Sequence, residues 1–194
     1  MKKMRNTKFR HLMNGYFSFL HIDKGLVDHF VETGLIYPYS NGEAIFMQTS
    51  TSGTPVGFES AGFTGEFSGS IDFADATEYG FFTLPCKNAN TIVVVEDALQ
   101  AMAYATLHPF NDSIVLSLAN NYDCYADVVH YAEALNVSNV VVAFKDKVKN
   151  QRSALLLIKT LWKSGIYSSY EKPVNANWTQ DLCGMKIRPL RGGK

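Results

Sequence analysis

Short apolar runs that alternate with helical patterns are the feature that most constrains the fold of this chain. Three runs rich in β-branched residues lie in the second half, at 92–95, 114–118 and 140–144. Runs this short between polar residues are typical of strands buried on both faces. Apolar residues at helical spacing follow each run, over 97–107, 125–135 and 151–164. We therefore expect parallel βαβ units with right-handed crossovers, and a fourth, weaker strand at 166–170.

A pair of carboxylates stands where the first run gives way to its helix. Glu96 and Asp97 directly follow Val95. In open α/β sheets, ligands bind in the crevice at the carboxyl ends of the strands. Glu96 therefore occupies a candidate functional position. The alternative is that both carboxylates only favour the positive N-terminal end of the helix.

The first half of the chain has a different pattern. One or two short helices are indicated between residues 16 and 34, with Asp23 as an N-cap. Short strand-like segments with frequent turn signals follow, which is typical of an antiparallel meander. We expect two domains: a small α+β module rich in antiparallel strands at 1–88, beginning with a basic arm at 1–10, and an α/β domain at 89–194.

Charge is balanced in total but unevenly distributed. The chain has 18 basic and 18 acidic residues, and five of the basic ones lie in the first ten positions and four in the last nine. The 175 residues between them carry the other nine basic and all 18 acidic side chains, a formal charge of −9. Basic ends on an acidic body suit contact with nucleic acid or an acidic partner, or are solvated tails.

Cysteine and apolar content bear on the compartment. Cys86, Cys124 and Cys183 are widely spaced and odd in number, which indicates a reducing environment rather than a disulfide framework. The sequence has no apolar run near the roughly 20 residues of a membrane span. We expect a cytoplasmic protein without membrane contact.

Three segments of the second half resemble the Toprim domain of topoisomerases, bacterial-type primases and some nucleases. They are VVVEDALQAMAYATL, VVVAFKDKVKNQRSALLLIKTL and NANWTQDL. The first resembles the strand that ends in a glutamate, the second the strand with two metal-binding aspartates, and the third the segment that closes such domains in primase-like proteins. The first half is similar to an uncharacterised module that precedes Toprim domains in primase-like and DNA-mobilisation proteins of plasmids and phages. The resemblance implies a Toprim-like domain with a mostly parallel central sheet.

The sequence departs from this family at the positions that hold metal. In the family, the glutamate acts as acid/base or metal ligand, and two alternate aspartates hold Mg²⁺. Glu96 stands at the glutamate, but Lys145 and Lys147 stand at the aspartates, with Asp146 between them. Two further acidic positions of the family are amides, Gln100 and Asn177. A protonated lysine cannot ligate Mg²⁺, and one charge at about 4 Å is worth roughly 4 kcal/mol at an effective dielectric near 20. The sequence therefore argues against ordinary Toprim catalysis and against a bound metal or other cofactor.

The first functional hypothesis is a catalytically degenerate Toprim-like protein of a plasmid or phage. It would act in DNA replication, transfer or defence by binding nucleic acid or a protein partner. A basic cluster opens the helix after the third strand and consists of Lys145, Lys147, Lys149 and Arg152. These cations, with the amides of the helix N-terminus, suit phosphate binding in place of the metal. The alternative for the basic cluster is a solvated turn.

Two other hypotheses stay open. One is a metal-dependent enzyme of primase or nuclease type with a rearranged Mg²⁺ site, using Glu96 with Asp97, Asp123 or Asp146. The other is a purely protein-binding inhibitor of a host nuclease system. The acidic body favours this last hypothesis because a formal charge of −9 repels phosphate.

Overall fold

The computed structural model describes the chain over residues 7–39, 42–62, 70–73, 79–109 and 112–187. It divides into two compact units, residues 1–82 and 83–194. The sequence analysis places the boundary after residue 88 instead. The observed boundary is earlier because it falls inside a short strand, Phe82–Leu84, whose last two residues already belong to the second unit.

The first unit begins with two helices, α1 (Thr7–Phe19) and α2 (Lys24–Glu32). Asp23 caps α2 as predicted, because its Oδ1 accepts a hydrogen bond from the Leu26 amide at 2.8 Å. Helix α1 starts inside the stretch predicted as a basic arm, and residues 1–6 lie outside the described residues.

Within its described ranges, the first unit continues with four antiparallel strands. They run in the order β1-β2-β3-β4, with β1 (Ile36–Pro38), β2 (Ala44–Thr49), β3 (Pro55–Ala61) and β4 (Ser70–Asp72). Aromatic rings form the core between the helices and the sheet, with the Phe46 ring 6.2 Å from Phe17 and 5.0 Å from Phe82. The expected helical start followed by antiparallel strands is confirmed.

A five-stranded sheet forms the centre of the second unit. Its strands are β5 (Phe82–Leu84), β6 (Thr91–Val95), β7 (Ser113–Ser117), β8 (Asn139–Val142) and β9 (Tyr167–Tyr170). They are arranged in the order β5-β7-β6-β8-β9, and the pairs β6–β7, β6–β8 and β8–β9 are parallel. The predicted mostly parallel α/β sheet is confirmed. Parallel pairing brings the carboxyl ends of β6, β7 and β8 to one edge.

The described part of the second unit has four helices beside this sheet: α3 (Ala98–Leu107), α4 (Tyr125–Ala134), α5 (Val148–Lys163) and α6 (Trp178–Ile187). Strand β8 ends at Val142 rather than at 144, and α5 begins at Val148 rather than at 151. Both boundaries are therefore earlier than the sequence predicts. None of the helices in the described part of the chain has the length and apolar character that a membrane crossing requires.

Candidate functional site

The ends of β6 and β8 meet at a buried carboxylate. The Lys145 backbone amide donates a hydrogen bond to Oε1 of Glu96 at 2.5 Å, and the Asn120 backbone amide donates to the Glu96 backbone carbonyl at 2.6 Å. These contacts confirm that Glu96 and Lys145 lie at the same end of the sheet, beside the loop that follows β7.

Glu96 is held in an environment that opposes its charge. The side chain is fully buried, and its Oε1 also accepts a hydrogen bond from Asn150 Nδ2 at 2.6 Å. Its Oε2 has no hydrogen-bond partner among the described residues. Burial raises the pKa of Glu96 to about 7, although the amide and charge of Lys145 and the Asn150 amide act in the opposite direction. The carboxyl therefore titrates near neutral pH.

Asp97 has two contacts that engage both of its carboxylate oxygens. Oδ1 accepts from the backbone amide of Gln100 at 3.0 Å and so caps α3. This agrees with the alternative that the carboxylate favours the helix N-terminus. Oδ2 lies 2.5 Å from Nζ of Lys145, and the two side chains are only 18% and 20% exposed. Partial burial makes this ion pair less subject to solvent screening than a surface pair. Lys145 is thus an internal counter-ion next to Glu96.

Two residues of the site escaped the sequence analysis. Asn150 donates to Glu96 and also to Oη of Tyr122 at 3.1 Å, and the Tyr122 ring packs edge-on against Phe144 at 6.0 Å. Burial raises the pKa of Tyr122, so its hydroxyl stays protonated at neutral pH. The signal for Asn150 is its spacing, because it lies four residues before buried Ala154 on the same face of α5.

The other members of the basic cluster lie apart from this partly buried pair. Lys147, Lys149 and Arg152 are exposed on the first turns of α5. Lys147 occupies the N-cap position without a side-chain capping bond, and Lys149 Nζ lies 5.9 Å from the centre of the Tyr122 ring. The structure therefore divides the basic cluster into one internal cation and three exposed ones.

The remaining candidate carboxylates have partners of their own or face solvent. Asp146 accepts from Gln151 Nε2 at 2.6 Å, and its other oxygen lies 3.5 Å from Lys172 Nζ. Asp123 is exposed at the start of the α4 region. Across the described ranges, no group of three histidine, cysteine or acidic side chains is placed to hold a metal ion.

The donor set beside Glu96 does not fit Mg²⁺. This ion is a hard cation that needs several oxygen ligands in near-octahedral geometry. An ion at this place would meet the ammonium group of Lys145, which already pairs with Asp97. The Lys145 backbone amide and the Asn150 side-chain amide both donate to Oε1 of Glu96. Of this carboxylate only Oε2 is left as a ligand, which is fewer oxygens than Mg²⁺ needs.

Gln100 and Asn177, the two amides that the Toprim resemblance sets against acidic residues, contact the start of α6. Gln100 is buried, and its Oε1 accepts from the Trp178 amide at 2.9 Å. Oδ1 of Asn177 accepts from the backbone amide of Gln180 at 2.9 Å, which makes Asn177 the N-cap of α6. The indole of Trp178 then donates to the Ala143 carbonyl at 2.7 Å, which joins α6 to the end of β8.

Comparison with known proteins bears on this architecture. No protein-family model matches the sequence, and no curated protein matches it either. Solved structures of primases do resemble the chain. The primase fragment of the bacteriophage T7 primase-helicase protein aligns with a TM-score of 0.55 and 9% identity, over 82% of this chain and 65% of that one. The Aquifex aeolicus primase, comprising its zinc-binding and RNA polymerase domains, aligns with a TM-score of 0.54 and 10% identity, over 92% of this chain and 58% of that one.

A third structure contains bacteriophage T7 lagging-strand DNA polymerase interacting with primase domains of two gp4 subunits bound to an RNA/DNA hybrid and dTTP. It aligns with a TM-score of 0.59 and 10% identity, over 85% of this chain and 81% of that one. The fold is primase-like. These primase domains have Toprim-type folds, so the expected Toprim resemblance is confirmed at the level of the fold. The chain spans less than two thirds of the T7 primase fragment and of the Aquifex aeolicus primase.

Proposed function

We infer that this chain is a primase-like protein of DNA replication or transfer, of plasmid or phage type, that binds nucleic acid without metal-dependent catalysis. The observation that supports this most directly is the position of Lys145. Its ammonium group pairs with Asp97 and its backbone amide donates to Glu96. The Toprim resemblance implies a metal-binding aspartate at this position, and a lysine in this pairing supports the loss of the metal.

A binding role needs cations that phosphate can reach. Lys147, Lys149 and Arg152 are exposed at the N-terminal end of α5, a helix of 16 residues. Backbone amides at such a helix end favour anions, and each lysine or arginine that neutralises a phosphate releases counterions. The third structural neighbour is described as bound to an RNA/DNA hybrid, which makes such a hybrid the first probe to use.

The proposal is tested by comparing two triple variants in fluorescence anisotropy with a labelled RNA/DNA hybrid. Lys147→Ala/Lys149→Ala/Arg152→Ala removes the three exposed cations. Its control, Lys87→Ala/Lys159→Ala/Lys163→Ala, removes three other exposed cations of the same unit. The first variant should weaken binding and flatten the log–log salt slope by about 2 to 3, since each phosphate contact contributes about 0.7 to 0.9.

Equal losses in the two variants would show that only net charge matters. If the parent binds no hybrid even at about 50 mM salt, a purely protein-binding role takes first place.

A metal-dependent enzyme is the second candidate, because one oxygen of the buried Glu96 carboxyl has no hydrogen-bond partner among the described residues. Calorimetric titration with Mg²⁺ distinguishes the two. We expect no sub-millimolar site that depends on Glu96. Such a site, lost in Glu96→Gln, would restore the enzyme hypothesis.

A further inference from the structure

The outward face of α5 exposes large apolar side chains at a regular interval. Val148, Leu155 and Trp162 follow one another at spacings of seven and are 69%, 65% and 62% exposed. A different face of the helix packs inward, with Ala154, Leu157 and Leu161 buried. Val148 and Leu155 are therefore not among the side chains that pack α5 inward. Exposed apolar side chains that recur every seven residues along a helix are typical of surfaces that pack against another helix.

Two cations lie on the same line of the helix as these apolar residues. Arg152 and Lys159 stand between the apolar residues, so that the five positions follow one another at intervals of four, three, four and three. This is the spacing by which one helix packs along another in a coiled coil. The seam, defined as Val148, Arg152, Leu155, Lys159 and Trp162, extends over about 21 Å of helix at 1.5 Å per residue.

The aromatic end of the seam is fixed before any partner binds. Nε1 of Trp162 donates to the Ser168 carbonyl in β9 at 3.2 Å, although most of the side chain is exposed. A ring held in this way loses little conformational freedom when it is covered. Tryptophan is also among the residues that contribute most to protein interfaces. The seam is thus organised for packing against protein.

Its charges select the kind of partner. Helix α5 contains four basic residues and no acidic one. A second copy packed on the same seam would bring Arg152 and Lys159 against like charges, which is unfavourable. We propose that the seam binds an acidic amphipathic helix of a partner protein, with apolar residues against Leu155 and Trp162 and carboxylates against Arg152 and Lys159. This inference does not rest on nucleic-acid binding, with which it shares only Arg152.

The test uses a synthetic helical peptide of three heptads as the probe. In each heptad of the peptide, two positions face the seam, and one of them is leucine and the other glutamate. Binding of the peptide to the full chain is measured by fluorescence anisotropy. Leu155→Gln should weaken binding about tenfold or more, because it removes a buried leucine contact. The matched control is Leu156→Gln, which alters a neighbouring leucine that is 57% exposed but lies outside the seam. The control should bind within about twofold of the parent.

A charge exchange gives a second, independent readout. Lys159→Glu should weaken binding of the glutamate peptide and strengthen binding of a peptide with lysine in its place, since opposite charges across a helix pair set partner choice. The proposal is overturned if the parent does not bind the glutamate peptide, or if Leu155→Gln and Leu156→Gln lose equal affinity. It is also overturned if sedimentation shows a dimer that Leu155→Gln dissociates, or if Leu155→Gln weakens binding of the RNA/DNA hybrid as much as binding of the peptide.

Discussion

The Glu96 side chain makes the stability of the second unit depend on pH. Burial raises its pKa from 4.5 to about 7, so the folded state disfavours the charged carboxylate. Below a pH of about 4.5 the group is neutral in both the folded and the unfolded chain and imposes no penalty. As the pH rises through about 7, the penalty grows to on the order of 3 kcal/mol.

We therefore expect the parent to lose stability relative to Glu96→Gln as the pH rises from about 5 to about 8. The variant keeps the oxygen that accepts from Lys145 and Asn150 but cannot ionise. Urea unfolding of both proteins across this range measures the difference between their free energies of unfolding. Curves that stay parallel would contradict the raised pKa.

The charges on either side of Glu96 should move its pKa in opposite directions. The Lys145 ammonium lowers this pKa, whereas the Asp97 carboxylate raises it. Lys145→Met should therefore shift the titration midpoint of Glu96 upward, and Asp97→Asn should shift it downward. Asparagine is a good N-cap, so the second variant keeps the start of α3. Carbon-13 NMR of the Glu96 carboxyl gives both midpoints, and shifts in the same direction would refute the described arrangement.

At the scale of elements, polar side chains hold α6 in addition to its buried Trp178 and Leu182. Asn177 caps the helix, and Gln100 accepts from the buried amide of Trp178. Asn177→Ala should cost about 1 kcal/mol in the free energy of unfolding. Gln100→Ala should cost about 1 to 3 kcal/mol because it leaves a buried amide without a partner. Asn177→Asp, which keeps the cap, is the matched control and should unfold like the parent in urea. Equal losses for Asn177→Ala and Asn177→Asp would mean that the cap is not the cause.

The reliance of α6 on such contacts explains what could be predicted from the sequence. Strands β6 and β7 are almost wholly buried and β8 alternates between buried and half-buried residues, and the apolar runs of all three identify them as strands. Helix α6 has no comparable stripe and was not predicted. The start of α5 was misplaced because the buried residue of its first turn is polar Asn150. The position of Glu96 followed from the strand–helix order. Its counter-ion arrangement did not, because Lys145 is 48 residues from Asp97 and no spacing rule joins them.

For the whole molecule, the distribution of charge offers a rival explanation of any nucleic-acid binding. Residues 1–6 and 188–194, which lie outside the described residues, hold six of the 18 basic side chains and no acidic ones. Removing them leaves 12 basic and 18 acidic residues, a formal charge of −6. Such a charge repels phosphate in general, so any remaining affinity has to come from a local site.

The truncated chain, residues 7–187, should therefore bind the RNA/DNA hybrid more weakly than the full chain and still depend on α5. Introducing Lys147→Ala/Lys149→Ala/Arg152→Ala into it should flatten the salt slope by the same amount of about 2 to 3 as in the full chain, because these cations lie on a described helix and not in the ends. Four proteins are titrated by anisotropy: the full and the truncated chain, each with and without the three substitutions. Together they form a double-mutant cycle in which truncation is one change and the triple substitution is the other. Additive slopes would support a phosphate site at α5. If truncation alone abolishes binding while the three substitutions in the full chain have no effect, the basic ends are the nucleic-acid site instead.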